Sequence, residues 1–156
     1  MKTNIGILDN HTEKVAYELN KLLANEFVLY TKTRCCHWNI SGMYFFELHK
    51  LFEGQYEQLD QIMDDIAERI RAIGHYSEAR LADILKLTDL TEPGYTNAAK
   101  TQLENLLDDH EMIIRSLRTL VIDFAETYKD LGSSDYVTGL LRDHEKMAWM
   151  LRAFLK

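Results

Sequence analysis

Residues 48–74 read LHKLFEGQYEQLDQIMDDIAERIRAIG, and this stretch decides the fold. Leu48, Leu51, Phe52, Tyr56, Leu59, Ile62, Met63, Ile66, Ile70 and Ile73 recur at steps of three and four, which predicts one amphipathic helix about eight turns long. Beside that stripe stand His49, Glu53, Asp64 and Glu68. The pairs 49/53 and 64/68 are each four residues apart, so each pair projects from a single helix face. Imidazoles mixed with carboxylates are donors that suit iron.

Working outward, Val15, Leu19, Leu22, Leu23, Phe27 and Tyr30 keep helical spacing over residues 12–38, with Asp9, Asn10 or Thr12 available as N-cap. Residues 39–42 carry a serine and a glycine and predict a tight turn between helices one and two. Beyond Gly74 the pattern loosens. Residues 79–87 predict one short helix before the stop signal Thr91, Glu92, Pro93, Gly94, so helices two and three are joined by a long crossover. Helix three runs from 96 to 128 through Leu103, Leu106, Ile113, Leu117, Leu120 and Phe124. Gly132, Ser133 and Ser134 are expected to form a loop and N-cap for helix four, which carries Val137, Leu140, Leu141, Met147, Leu151 and Phe154. Four amphipathic helices with one long middle connection make an all-α, ferritin-like four-helix bundle. Its 156 residues are read as a single domain, with 1–10 as a short N-terminal tail.

Composition agrees and excludes other classes. One proline and seven glycines leave little room for a turn-rich sheet protein. The two cysteines, Cys35 and Cys36, are adjacent, which is not a secreted disulfide framework; burial is the expected role of both. No window reaches a membrane-spanning or signal-peptide run, and the expectation is a cytoplasmic protein. The formal charge is −7, from 18 Lys and Arg against 25 Asp and Glu, so the molecule attracts cations and repels phosphate polymers.

Glu53 and Asp64 lie 11 residues apart, about 16 Å along a continuous helix, so one small metal site cannot take both from the same chain. The 49/53 pair meets a 64/68 pair only if a second copy runs antiparallel across a two-fold axis. His37, at the end of helix one, reaches His49 if the 39–42 turn is tight. No Glu-x-x-His unit occurs, which argues against a di-iron centre inside one bundle.

The run His37, Trp38, Asn39, Ile40, Ser41, Gly42, then Leu48, His49 and Glu53, followed by Met63, Asp64, Asp65, Ile66, Ala67, Glu68, Arg69 and Ile73, Gly74, resembles the two signatures of the Dps proteins. The later helices match that family in length and order. The resemblance implies a hollow homo-dodecamer and a ferroxidase that oxidises Fe(II), preferably with hydrogen peroxide, and stores Fe(III) mineral, protecting the cell from oxidative stress. It implies intersubunit di-iron sites in which His37, His49 and Glu53 of one protomer face Asp64 and Glu68 of its two-fold mate. It also implies an iron-entry pore lined by Glu126, Asp130 and Asp135, and Trp38 is expected to quench stray oxidising equivalents. Glu53 departs from the aspartate found in many members, and Ser77 from a commoner proline or alanine.

Blander readings stand beside these. His11, His75, His110 and His144 receive no role; His110 and His144 fall on apolar stripes and read as core or interface residues. Tyr17, Tyr30, Tyr44, Tyr56 and Tyr128 read as packing or interface residues, Trp38 equally as a core aromatic, the acids around 126–135 equally as a solvated loop, and Arg69 by default as half of a surface ion pair. Zinc is the other metal these donors accept. The competing function is DNA compaction, which the family's name brings with it; only Lys2 precedes helix one and no lysine-rich arm is seen, so DNA binding is expected to be weak or absent.

Overall fold

The computed structural model describes residues 3–156. Its elements are α1 (Asp9–Asn39), α2 (Phe45–Ala72), α3 (Leu81–Leu87), α4 (Ala99–Ile122), a π-helical turn (Asp123–Thr127) and α5 (Leu131–Ala153), with no strand among the described residues. Helices α1 and α2 pack as one hairpin and α4 and α5 as a second, while α3 lies in the crossover and packs on α1. The fold is an all-helical four-helix bundle.

The predicted stripes close the core. Leu19, Leu23 and Leu29 of α1, Phe52, Leu59, Ile66 and Ile70 of α2, Leu106 and Ile113 of α4, and Val137 and Leu151 of α5 are all fully buried. At about 25 cal/mol per Å² of apolar surface, such burial is the main force holding the hairpins together.

Three features differ from expectation. Helix α1 begins at Asp9, inside the predicted tail, and its N-cap is Leu8 with no side-chain cap, so none of the polar candidates fills that place. The tail's residues 1–2, including Lys2, lie outside the described residues. Helix three does not run unbroken to Tyr128: it ends at Ile122, and the chain widens into a π turn that keeps Phe124 in the core. Lys129 then takes a left-handed conformation at φ 58°. This places Asp130, and not a Gly-Ser-Ser loop, at the start of α5, where its side chain accepts from the Ser133 backbone N–H. Gly132, Ser133 and Ser134 are the first turn of the helix itself.

Polar side chains of α1 fasten the crossover. Asn20 accepts from the Glu78 N–H at 2.7 Å and donates to the Tyr76 carbonyl at 3.1 Å. Asn25 Oδ1 accepts from Thr88 Oγ1 at 2.9 Å and from the Asp89 N–H at 2.8 Å. Lys32 donates to the Thr91 carbonyl at 2.8 Å and forms a buried ion pair with Asp109 of α4. These bonds satisfy backbone groups that an irregular segment would otherwise leave unpaired.

Candidate metal centre

The turn between α1 and α2 sets the site. Ile40 leaves the helix in an extended conformation and is buried, and Gly42 turns the chain at φ +104°, a region open to glycine. The reversal lays the last turn of α1 against the start of α2. His37 Nδ1 lies 2.9 Å from the His49 carbonyl, and His49 Nδ1 lies 2.9 Å from the His37 carbonyl. A carbonyl oxygen only accepts, so both Nδ1 atoms carry the proton and both Nε2 atoms keep a lone pair. The rings stack with centroids 3.7 Å apart. Phe45 stacks on His49 at 5.1 Å, and Tyr56 meets the His37 ring edge-on at 5.2 Å.

Glu53 stands one turn beyond His49, with Lys50 Nζ 2.5 Å from its Oε2. The Lys50 hydrogen bond holds its carboxyl below the usual range, and the Lys50 charge and the two imidazoles act in the same direction. Lys50 was not foreseen as a partner, although Lys-x-x-Glu spacing on one helix signals such a pair. Of the two aromatics that steady the rings, Tyr56 was legible only as a packing or interface residue and Phe45 was not singled out.

Asp64 and Glu68 are exposed further down α2 and do not reach this group. Asp64 borders a groove with Phe27, Asp60, Met63 and Ser77. Among the described residues no three His, Cys, Asp or Glu side chains gather tightly enough to hold a metal ion. Within one protomer the candidate donors lie in two separate groups, the imidazole pair with Glu53 and the carboxylate pair Asp64 and Glu68.

The remaining candidates separate. Trp38 is 65% exposed with the Arg34 guanidinium 5.3 Å from its ring, so it is not a core aromatic. Cys35 and Cys36 are half-buried and free, not buried as expected, and line a cavity with Trp38, Tyr95 and Gln102; burial pushes the Cys36 thiol up to about 12. Glu126 and Asp135 are exposed. Asp130 departs from its expected pore role: it is 1% exposed, and its oxygens are occupied by the Ser133 N–H, by Ser133 Oγ at 2.6 Å and by Arg69 Nη2 at 3.0 Å. Arg69 is accordingly no surface pair but a tie from α2 to the start of α5.

The ferritin-like domain family matches residues 17–156. The chain is 39% identical to a low-temperature-induced protein of Nostoc sp., over 99% of this chain and 87% of that one. It is 37% identical to DNA protection during starvation protein 2 of Bacillus anthracis, covering 92% and 97% of the two. Among solved structures, the Dps protein of Vibrio cholerae O1, described as a member of a broad superfamily of ferritin-like diiron-carboxylate proteins, superposes with a TM-score of 0.93 at 34% identity over 100% and 98% of the chains. The chain belongs to the ferritin-like family and, within it, to the Dps proteins. No described helix is long and apolar enough to cross a membrane.

Proposed function

We propose that the protein is a cytoplasmic ferroxidase and iron store. It oxidises Fe(II), preferably with hydrogen peroxide, at centres shared between two-fold-related protomers of a hollow homo-dodecamer. The observation that carries this is the reciprocal bracing of His37 and His49, which leaves both Nε2 lone pairs free beside Glu53. Fixing a ligating imidazole through its other nitrogen orients it before metal arrives.

His37, His49 and Glu53 of one protomer are the donors on one side, and Asp64 and Glu68 of the mate supply the other. The exposed run Met43, Tyr44, Phe45 and Phe46 next to the imidazoles offers the apolar surface that a subunit interface needs. Two ferrous ions each give one electron, and peroxide takes both with two protons as its O–O bond breaks to two waters. Pairing the electrons in this way releases no hydroxyl radical. Exposed Trp38, one residue from His37, is placed to donate an electron when only one iron is bound, and Glu126 and Asp135 draw cations toward the entry pore.

Anaerobic loading with Fe(II) followed by peroxide or oxygen tests the reading. The fast phase is expected with peroxide and is expected to slow at least tenfold in His37→Ala and in Asp64→Ala; unchanged kinetics in either variant refute it. Several relatives are named for DNA protection during starvation. The charge of −7 argues against a direct phosphate contact here. A gel shift at low salt, with and without added divalent metal, is expected to show no complex, and a tight one would favour DNA compaction.

A further inference from the structure

Another group of titratable side chains lies in the middle of the bundle, away from the candidate metal donors. Glu26 of α1, His110 of α4 and His144 of α5 are all wholly inaccessible to solvent. His110 Nδ1 and His144 Nδ1 are 3.0 Å apart and share one hydrogen bond. On the far side of His144, its Nε2 lies 3.0 Å from Glu26 Oε1. Both Glu26 oxygens and His110 Nε2 have no hydrogen-bond partner. The other ionisable groups facing the cluster are Tyr136 of α5, whose buried hydroxyl is also unpartnered, and, around that phenol, Asp65 of α2 and Asp143 of α5.

Buried polar groups that leave atoms unpaired are destabilising, so the presence of this cluster needs a reason. Proton counting supplies one. The Nδ1 to Nδ1 contact requires one proton between the rings, because two lone pairs or two N–H groups at that distance repel. Glu26 lies against His144 and not against His110, so it can offset charge on His144 while His110 has no counter-ion. A further proton on His110 either enters the Nδ1 contact and breaks it, or goes to Nε2 and leaves a charged, buried N–H without a partner. Burial and the neighbouring His144 accordingly hold His110 well below the ordinary imidazole value of 6.5.

We propose that Glu26, His144 and His110 form an acid-sensitive latch that holds α4 and α5 against α1 while His110 is neutral and releases them when His110 gains a proton. Unfolded or opened chain takes up this proton near 6.5, whereas the closed bundle refuses it until lower pH. Stability of the closed form is therefore unaffected above that value and falls as pH drops below it.

Amide hydrogen exchange of the assembled protein, at about pH 7.5 and about pH 5.5 with times scaled for the intrinsic rate, tests the latch. Protection around His110 in α4 and His144 in α5 is expected to fall by up to about tenfold per pH unit below the imidazole range, the slope of one proton. His110→Gln is expected to abolish that dependence, and His75→Gln, whose imidazole bonds Thr12 outside the cluster, to keep it. Protection that is flat with pH, or a dependence that survives in His110→Gln, overturns the proposal. If His110→Gln does not fold, deuteration of histidine C2 protons in the unmodified protein decides: His110 is expected to exchange slowest with a depressed midpoint, and an ordinary midpoint overturns it. A stoichiometric metal retained by His37→Ala/Asp64→Ala and lost in His144→Gln would also overturn it, since the cluster would then be a cation site.

Discussion

His37 and His49 each donate to the other's carbonyl, so replacing either removes a donor and also frees the remaining ring to turn. His49→Ala is therefore expected to affect iron binding as strongly as His37→Ala, by about ten- to a hundredfold in Fe(II) affinity measured by anaerobic titration. Lys50 acts in the opposite direction. Its ammonium occupies Glu53 Oε2, and Lys50→Met is expected to tighten Fe(II) binding several-fold at neutral pH. The same change is expected to raise the Glu53 carboxyl toward its ordinary value, because its largest depressing partner is gone. In the unmodified protein the Lys50 contact is present above the ordinary carboxylate range and is lost as pH falls through the lowered value. Weaker Fe(II) binding in Lys50→Met would mean that the lysine supports the carboxylate instead of masking it. The i, i+4 spacing marks 49/53 and 64/68 as pairs sharing a helix face, whereas the approach of His37 to His49 depended on the tight turn at 39–42. Lys50 was missed because a helix surface carries many such pairs and most of them matter little.

At the scale of elements, the helix stripes were readable and the helix ends were not. Apolar periodicity extends over many turns, so small errors average out, whereas a cap depends on one side chain and its backbone angle. Asp130 shows the difference: by composition it belongs with the exposed acids Glu126 and Asp135, yet a π turn and a left-handed Lys129 carry it inward to cap α5 and meet Arg69. Asp130→Ala is expected to destabilise the bundle by about 1–3 kcal/mol in denaturant unfolding, through the lost cap and the half-buried Arg69 guanidinium left without its carboxylate. A loss of iron uptake without a loss of stability would restore Asp130 to a pore role. Asn25 fixes the crossover in a comparable way. Asn25→Ala is expected to cost about 1–3 kcal/mol and to expose residues 88–98 to proteolysis before any other segment opens. The polar residues of α1 that do this work lay outside the apolar stripe, and their partners are more than fifty residues away in sequence.

At the scale of the whole molecule, the decisive feature is the separation along α2 of the His49/Glu53 pair from the Asp64/Glu68 pair. That distance follows from helix rise and was available from the sequence, while the stacked, tautomer-fixed imidazoles needed the three-dimensional turn. The exposed aromatics beside them are expected to lie in the two-fold contact, so Phe46→Glu is expected to shift the assembly to smaller species in sedimentation and to abolish the fast oxidation with all five donors intact. Retained activity in a monomeric Phe46→Glu would contradict a shared centre. The most direct measurement is complementation. His37→Ala and Asp64→Ala chains, each inactive alone, are dissociated, mixed in equal amounts and reassembled, and the fast phase of peroxide-driven Fe(II) oxidation is recorded. Random pairing across a two-fold axis gives each mixed dimer one intact centre, so about a quarter of the unmodified amplitude is predicted to return. No recovery from verified mixed dimers would place every ligand within one chain and contradict the account.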